Sequence, residues 1–491
     1  MTTISSVRWV ALETFVTKGV ALLSFILIAR VLGPDVMGIV AVLILVRELA
    51  GIMSDFGLSQ AIVHYKKPTN SQLATLYSVN WILGFSAFIA GFLFAKPIAT
   101  LFGMPQLITL LPVVAVGFLL EPIGQQVNAL LQKSMDFQVL TKISITTTAL
   151  GAIISIGGVY SGFGVWAVVI SGLISSGARQ LAYLAVARRR QLLHGFALDL
   201  KQSRALLSFG AYRTGATALN YVNSRADQLI VGGVLGSVAL GLYSMATNWT
   251  LMAMQQINGI ATKVAFPTIS KLQDDGPRIR SVYLRLVNRV TTVNAALFFG
   301  LAVTAEPLVS LVLGADWSEL APVLQLMCGY VLLRSLGNLN GPLAMGLGKA
   351  SWAFYWNLGL VAVVPATLWL ASKSGSLLFI VMTLIGLQLV FAVLMYLYWT
   401  RRLVGPCLKE YAIAISGPWS CGVIMAITIH NALQVFSFLG SALQIGVALL
   451  IGGVIYITAS WWLNRGGISD MFSLFLRPSQ ASFFARGEAG K

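Results

Sequence analysis

Charge is scarce in this 491-residue chain: 10% of its residues are Asp, Glu, Lys or Arg, against roughly 25% in a soluble domain. A soluble globular fold and a charge-rich disordered chain are both excluded by that figure. Cysteine is also rare. Cys328 and Cys421 lie in apolar segments and Cys407 in a basic loop, with neither metal-ligand spacing nor a pairing pattern, so a disulfide-stapled fold is excluded and structural thiols are expected. The three histidines, His64, His194 and His430, are scattered, which leaves no catalytic or metal cluster built on imidazole. What the chain does have is apolar residues, 57% of the total, with a mean hydropathy of +0.82. It also has 33 Lys and Arg against 16 Asp and Glu, a net charge of +17. In a soluble protein that excess points to nucleic acid; in a membrane protein it points first to topology.

A membrane-spanning helix needs about 20 mostly apolar residues. Fourteen such stretches are drawn from the sequence: 12–31, 36–60, 73–95, 107–130, 140–160, 165–187, 206–234, 238–262, 283–304, 320–345, 350–371, 377–399, 411–430 and 440–463. The expected fold class is therefore an all-α polytopic membrane protein of about 14 helices. The N-terminal region lacks a basic segment, short apolar run and small-residue cleavage site in series, so no removable leader is expected. With the N-terminus on the cytoplasmic side, 23 of the 33 cations fall in cytoplasmic segments, and only Arg30, Lys96 and Lys373 fall outside. That bias follows the positive-inside rule. It places both termini in the cytoplasm and explains the runs Arg188–Arg190 and Arg401–Arg402 as topology determinants rather than nucleic-acid contacts. No outside loop exceeds about 16 residues, too little to carry the catalytic acids of a membrane polymerase or glycosyltransferase. A non-enzymatic protein is expected.

An internal echo organises the chain. Residues 31–38 read V-L-G-P-D-V-M-G and residues 234–241 read V-L-G-S-V-A-L-G, 203 positions apart; L-L-P-V-V (110–114) and L-A-P-V-L (320–324) are 210 apart. An offset spanning an even number of helices makes the halves parallel, related by an axis along the membrane normal. The expected organisation is a six-helix lobe over 1–200, a second over 201–400, two further helices over 401–464 and a cytoplasmic tail over 465–491. The basic linker near 188–204 joins the lobes.

Seven cations remain inside the spans (Lys18, Arg47, Arg179, Arg213, Arg225, Arg289, Arg334), with the acids Glu13, Glu48, Asp55, Glu121 and Asp227. A charge at the bilayer centre costs about 3 kcal/mol on insertion scales, so these groups face the bundle interior, water or each other. Arg179 and Arg289 lie near cytoplasmic ends, where snorkelling accounts for them. Arg47 with Glu48, and Arg225 with Asp227, can also be read as structural ion pairs. At 100° per residue, Arg213, Thr217, Asn220, Ser224 and Asp227 fall within about 40° of one line along a helix. Glu121, Gln125, Asn128 and Gln132 share that 4-3-4 spacing. Asn248, Gln255 and Thr262 recur every seven residues, as do Glu48 and Asp55, and Arg334 shares a face with Asn338. Such stripes favour a wet central cavity with cations in excess. That polarity suits an anionic passenger, and the planar fork of arginine suits phosphate.

The same segments carry a resemblance. R-V-L-G-P-D-V-M-G-I-V-A-V (30–42), S-D-F-G-L-S-Q-A-I-V (54–63), R-A-D-Q-L-I-V-G-G-V-L-G (225–236), L-G-L-Y-S-M-A (240–246), Q-Q-I-N-G-I-A (255–261) and F-P-T-I-S-K-L-Q-D-D (266–275) resemble the Wzx-type lipid-linked oligosaccharide flippases of the multidrug/oligosaccharidyl-lipid/polysaccharide (MOP) superfamily, colanic-acid-exporter-like. The resemblance spans about residues 10–400 and places Asp55 and Asp227 at family positions. It implies fourteen helices in two six-helix lobes, a bacterial inner-membrane location, and export of a polyprenyl-pyrophosphate-linked repeat unit for exopolysaccharide, capsule or O-antigen. Lys18, Arg47, Arg213, Arg225 and Arg334 are the expected diphosphate contacts, and Gln125, Asn128, Asn220, Asn248 and Gln255 the expected sugar contacts. Glu48, Asp55, Glu121 and Asp227 are expected either to bind a coupling H⁺ or Na⁺ or to hold arginines in place. No cofactor is expected. Expected partners are the lipid-linked oligosaccharide, membrane lipids, and the polymerase and chain-length machinery, with no nucleic acid. A small-molecule antiporter of the same superfamily, a peptidoglycan-precursor flippase and a membrane polymerase are the alternatives.

Overall fold

The computed structural model describes residues 3–192, 195–273 and 275–467; His194 and most of the expected tail, with Arg477, Arg486 and Lys491, lie outside the described residues. Among the described residues there are helices and turns but no strand. Twelve helical segments among the described residues are long and apolar enough to cross a membrane. Two of them, of 48 and 71 residues, are at least twice the length that about 30 Å of hydrocarbon requires. Each is broken by one glycine with non-helical dihedrals: Gly33 (φ 73°, ψ 173°) and Gly236 (φ 85°, ψ −169°). Positive φ of this kind is open to glycine and strained for other residues. The two breaks occupy the same place in the two copies of V-L-G.

The chain divides into two compact units, Met1–Gly241 and Leu242–Lys491. The first holds α1 (Thr3–Asp55), α2 (Leu58–His64), α3 (Asn70–Leu93), α4 (Ala95–Phe102), α5 (Leu107–Lys133), α6 (Phe137–Tyr160), α7 (Val165–Arg190) and the larger part of α8 (Leu200–Ser270). Here α1 packs on α6, α5 and α3, while α5 packs on α3 and α7. Helix α3 starts at a capping box: the Gln72 amide donates to the Thr69 hydroxyl oxygen (3.2 Å) and the Thr69 amide donates to Gln72 Oε1 (2.9 Å), which satisfies two otherwise orphaned donors. The basic linker is strapped to α3: the amides of Ala197 and Asp199 donate to the hydroxyl oxygens of Ser78 (3.1 Å) and Thr75 (3.0 Å).

The expected span 36–60 is divided. The stretch 36–60 stops at Asp55, because Phe56 (φ 47°) and Gly57 (φ 63°) are left-handed, and α2 begins afresh at Leu58.

The related segments 31–38 and 234–241 also meet. A Cβ on Gly38 would lie 1.9 Å from the Ser237 carbonyl oxygen, and one on Gly241 would lie 2.0 Å from that of Pro34. Gly38 and Gly241 are equivalent in the repeat, as are Pro34 and Ser237, so the contact is reciprocal. The Ser237 hydroxyl donates to the Asp35 carboxylate at the same place. Only glycine lets two backbones approach this closely.

The second unit continues α8 and adds α9 (Gly276–Val303), α10 (Ala305–Val312), α11 (Leu320–Gly337), α12 (Asn340–Gly346), α13 (Ala350–Ser372), α14 (Leu377–Met395), α15 (Arg401–Val404), α16 (Leu408–Val435) and α17 (Ser441–Leu463). The last two long helices are pinned by buried polar groups. Asn288 Nδ2 donates to Asn464 Oδ1 (2.9 Å) and to the Ala414 carbonyl (3.0 Å). Asn464 Nδ2 donates to the Thr292 hydroxyl oxygen (2.8 Å), and the Tyr456 hydroxyl donates to the Thr292 carbonyl (2.6 Å). On its other side α17 leaves Leu449, Leu450 and Trp462 more than 70% exposed, a surface suited to lipid and not to water. A third correspondence joins the two in the sequence: A-K-P opens α4 and A-E-P opens α10, again 210 residues apart, and both alanines are buried.

Candidate functional site

The larger cavity described here lies within the first unit, between the end of α1, α2 and the first half of α8. It has a volume of about 410 Å³ and is lined by Glu48, Gly51, Ile52, Asp55, Gly57, Gln60, Arg213, Thr214, Thr217 and Tyr221. Glycines bring the walls together at one end: a Cβ on Gly57 would lie 2.8 Å from the Gly210 carbonyl oxygen. Past that contact the walls are joined by polar bonds. Arg213 Nε donates to Gln60 Oε1. The Tyr221 hydroxyl donates to the Leu45 carbonyl (2.8 Å). Arg225 Nη2 lies 3.1 Å from Glu48 Oε2, and its guanidinium sits 6.0 Å from the centre of the Tyr221 ring. Asp55 accepts the Ser59 hydroxyl. Each of these side chains sits on a helix from the sequence reading, but the left-handed Phe56–Gly57 step puts Gln60 on α2, a separate helix from Glu48 and Asp55.

A smaller, mostly apolar cavity of about 80 Å³ lies between α1, α5 and α7, and its charged members are Arg47 and Glu121. The chain neighbours Arg47 and Glu48 thus line different cavities. Arg179 is also electrostatically coupled to Glu121, and its Nε donates to the Thr147 hydroxyl oxygen (3.2 Å).

The remaining expected residues are placed as follows. Lys18 is exposed on the first half of α1, and Asn220 is exposed on α8 beside the cavity-lining Tyr221. Asp227 is half-buried and its Oδ1 accepts the Gln228 amide (2.8 Å). On α5, Asn128 Oδ1 accepts from Gln132 Nε2 (2.9 Å), while Gln125 Oε1 is buried without a hydrogen-bond partner among the described residues. In the second unit Asn248 and Gln255 are exposed on α8; Arg334, exposed on α11, donates through Nη1 to the Tyr330 hydroxyl (2.8 Å). The structure therefore brings Glu48, Asp55, Arg213 and Arg225 together, and sets Arg47 with Glu121 elsewhere. Gln60 and Tyr221 were not among the expected contacts. Tyr221 follows Arg213 and Thr217 at four-residue steps, so the signal was present in the helical spacing, but the expected stripe ran through Asn220. All three cysteines are buried. Cys407 is in a connection between long helices, where burial pushes its thiol up from the ordinary range.

These features define a multi-pass, all-α membrane protein with the fold of MOP-superfamily transporters. The chain superposes on the lipid II flippase MurJ in its inward closed conformation with a TM-score of 0.70, covering 95% of this chain and 99% of that one at 14% identity. It superposes on an inward-facing multidrug resistance MATE transporter with a TM-score of 0.60, covering 80% and 98%, also at 14% identity. More particularly, a family model described as polysaccharide biosynthesis protein matches residues 27–322, and the chain belongs to that family. It is similar to the lipopolysaccharide biosynthesis protein WzxC of Escherichia coli K12, 27% identical over 85% of each chain. It is also similar to the succinoglycan biosynthesis transport protein ExoT of Rhizobium meliloti, 28% identical over 92% of this chain and 91% of that one, and to the teichuronic acid biosynthesis protein TuaB of Bacillus subtilis, 28% identical over 76% and 77%.

Proposed function

We propose that the chain is a flippase that moves a polyprenyl-pyrophosphate-linked oligosaccharide across the bacterial inner membrane for surface polysaccharide assembly, by alternating access and without covalent chemistry. The observation that carries this reading is the cavity of Glu48, Asp55, Gln60, Arg213 and Tyr221, with Arg225 at its wall, in a chain of the polysaccharide biosynthesis family. A sugar diphosphate cannot cross hydrocarbon, whereas its polyprenyl tail need never leave it. Arg213 and Arg225 are positioned to neutralise the diphosphate, each now held by a group a phosphate oxygen can replace: Gln60 and Glu48. Lys18 in the first unit and Arg334 in the second are further proposed phosphate contacts, each within its own unit. Gln125, Asn128, Asn220, Asn248 and Gln255 serve sugar hydroxyls. Arg47, in the inner cavity, acts at one remove.

The topology belongs to the same proposal: both termini cytoplasmic, α1 and α8 each crossing twice at their glycine breaks for fourteen spans, and two lobes over 1–200 and 201–400. The reciprocal contact of Gly38 with Ser237 and of Gly241 with Pro34, inside the first unit, is proposed to close the outer end, and rocking of the lobes is the proposed movement of alternating access. A membrane potential positive outside favours outward movement of a dianion by roughly 4–5 kcal/mol at 100 mV, at about 2.3 kcal/mol per charge. A coupling H⁺ or Na⁺ is part of the reading, with Glu48, Asp55, Glu121 and Asp227 as its candidate groups. Polymerase and chain-length proteins are the proposed partners on the far side.

Binding of undecaprenyl pyrophosphate to the detergent-purified protein, followed by native mass spectrometry, tests the site. Wild type is expected to hold the lipid, and Arg213→Ala/Arg225→Ala to lose it. Equal occupancy in both would contradict the assignment.

A further inference from the structure

We propose that Glu121 is the proton-binding group of this chain, held in the inner cavity apart from the cargo cavity, and that Arg47 is the cation it exchanges for the proton.

The four intramembrane acids differ in what already satisfies them. Glu48 is ion-paired with Arg225 at 3.1 Å. Asp55 accepts the Ser59 hydroxyl. Asp227 accepts the Gln228 amide and has further partners. Among the described residues Glu121 receives no hydrogen bond and no ion pair within 4 Å; it shares the inner cavity with Arg47, walled by Val40, Leu43, Val114 and Phe118. Its charged neighbours are Arg47 and Asp55 on α1 and Arg179 on α7. Helix α7 also brings the Tyr183 phenol against α5 at Gly124, α3 meets α5 through Gly84 against Pro122, and α6 supplies the Thr147 hydroxyl that Arg179 engages.

A half-buried carboxylate beside apolar walls, without a hydrogen-bond partner among the described residues, is costly to keep ionised, and the cavity offers two remedies. The carboxylate takes up a proton at one Oε atom and leaves Arg47 free, or it stays ionised and the guanidinium closes on it across about 80 Å³ of space. These are two discrete arrangements of one site, the requirement for a switch that ligand binding can bias. The coupling route is one residue long. Arg47 and Glu48 are consecutive on α1, and Glu48 holds Arg225 of α8 at the cargo cavity. Closing Arg47 on Glu121 shifts the turn of α1 that carries Glu48, so the proton at Glu121 sets whether Arg225 stays paired or is released to a diphosphate. This last step rests on the flippase reading; the proton site does not.

Infrared difference spectra of the full chain in detergent, titrated between pH 4 and 9, test the site directly. A protonated-carboxyl band present in wild type should be missing from Glu121→Gln and retained in Asp55→Asn and Glu48→Gln. In Arg47→Gln its midpoint should move to higher pH by about one unit or more, since removing a nearby cation disfavours the carboxylate. A band set unchanged in Glu121→Gln, or a midpoint unmoved in Arg47→Gln, would overturn the proposal. Should Glu121→Gln elute as aggregate, Glu121→Asp replaces it, with the band expected to persist at a shifted frequency and midpoint; an unaltered band again overturns it. A pH-sensitive dye in weakly buffered solution then reports protons exchanged on adding undecaprenyl pyrophosphate. Exchange in wild type and none in Glu121→Gln, with the lipid still bound, supports the coupling step; equal exchange in both overturns it. If wild type fails to bind the lipid at all, the cargo reading falls while the infrared result stands on its own.

Discussion

At the scale of the residue, the proposed cargo cavity holds two arginines with exchangeable partners, Gln60 and Glu48. A hydrogen bond to a charged group contributes about 1.5–3 kcal/mol, so Arg213→Ala or Arg225→Ala is expected to lower polymer export by roughly ten- to a hundredfold at normal protein levels. Arg225→Lys should recover only part, because an ammonium lacks the two-pronged geometry that binds two phosphate oxygens. The Arg225–Glu48 pair is itself half-open to solvent, with side-chain exposures of 31% and 42%, so Glu48→Gln is expected to cost about 1 kcal/mol of stability or less, read as a small change in the melting transition. Cys407 offers a pH test. Its buried thiol is shifted upward and the thiolate is the reactive form, so maleimide labelling should be slow near neutral pH and speed up only as pH rises through the elevated value or the protein unfolds. The charges themselves were legible because a lone Arg or Glu in an apolar run is conspicuous. Their destinations were not: Arg47 and Glu48 are about 100° apart on α1, and only the packing of α5 and α7 on one side and α8 on the other decides which cavity each enters.

At the scale of the element, glycines set where helices break and where they touch. Gly38→Val should prevent the backbone approach to Ser237, since even a Cβ meets the carbonyl oxygen at 1.9 Å. The same holds for Gly241→Val against Pro34. In the flippase reading both variants hold the outer end open and stop export, and cysteines placed at 35 and 237 should cross-link in wild type and not in Gly38→Val. Within the second unit, Asn464→Ala removes the partner of Asn288 and of Thr292 in a buried network; leaving such groups unsatisfied costs about 1–3 kcal/mol each, a loss that thermal unfolding in detergent would register. The long helices were readable from hydropathy alone. Their breaks were less so. Gly57 stands in the quoted run S-D-F-G-L-S-Q, yet a single glycine inside an apolar stretch is compatible with a continuous helix. The left-handed step at Phe56–Gly57, which separates Gln60 from α1, lies against Gly210 of α8, a contact that no local pattern announces.

At the scale of the whole molecule, the +17 charge separates by location. Most of it falls in the segments the sequence reading assigns to the cytoplasmic side, largely at helix ends such as Arg188–Arg190 of α7 and Arg401–Arg402 of α15, where it reads as topology. The proposed functional remainder is the handful of cations at membrane depth, of which Arg213 lines the larger cavity with Arg225 at its wall, and Arg47 lines the smaller, mostly apolar one. The repeat was visible as V-L-G at 31–33 and 234–236, and the shared glycine dihedrals and the reciprocal contact give that echo a physical reason. The A-x-P openings of α4 and α10 are not legible in the sequence, because three residues at an offset of 210 carry no signal until both are seen to start short helices. The central claim is tested most directly by the leaflet location of the lipid-linked repeat unit after the protein is depleted from cells. Accumulation of intact lipid-linked oligosaccharide on the cytoplasmic leaflet, with polymer lost and growth maintained, is the expected result. Appearance of the same unit on the outer leaflet at the normal rate would contradict it.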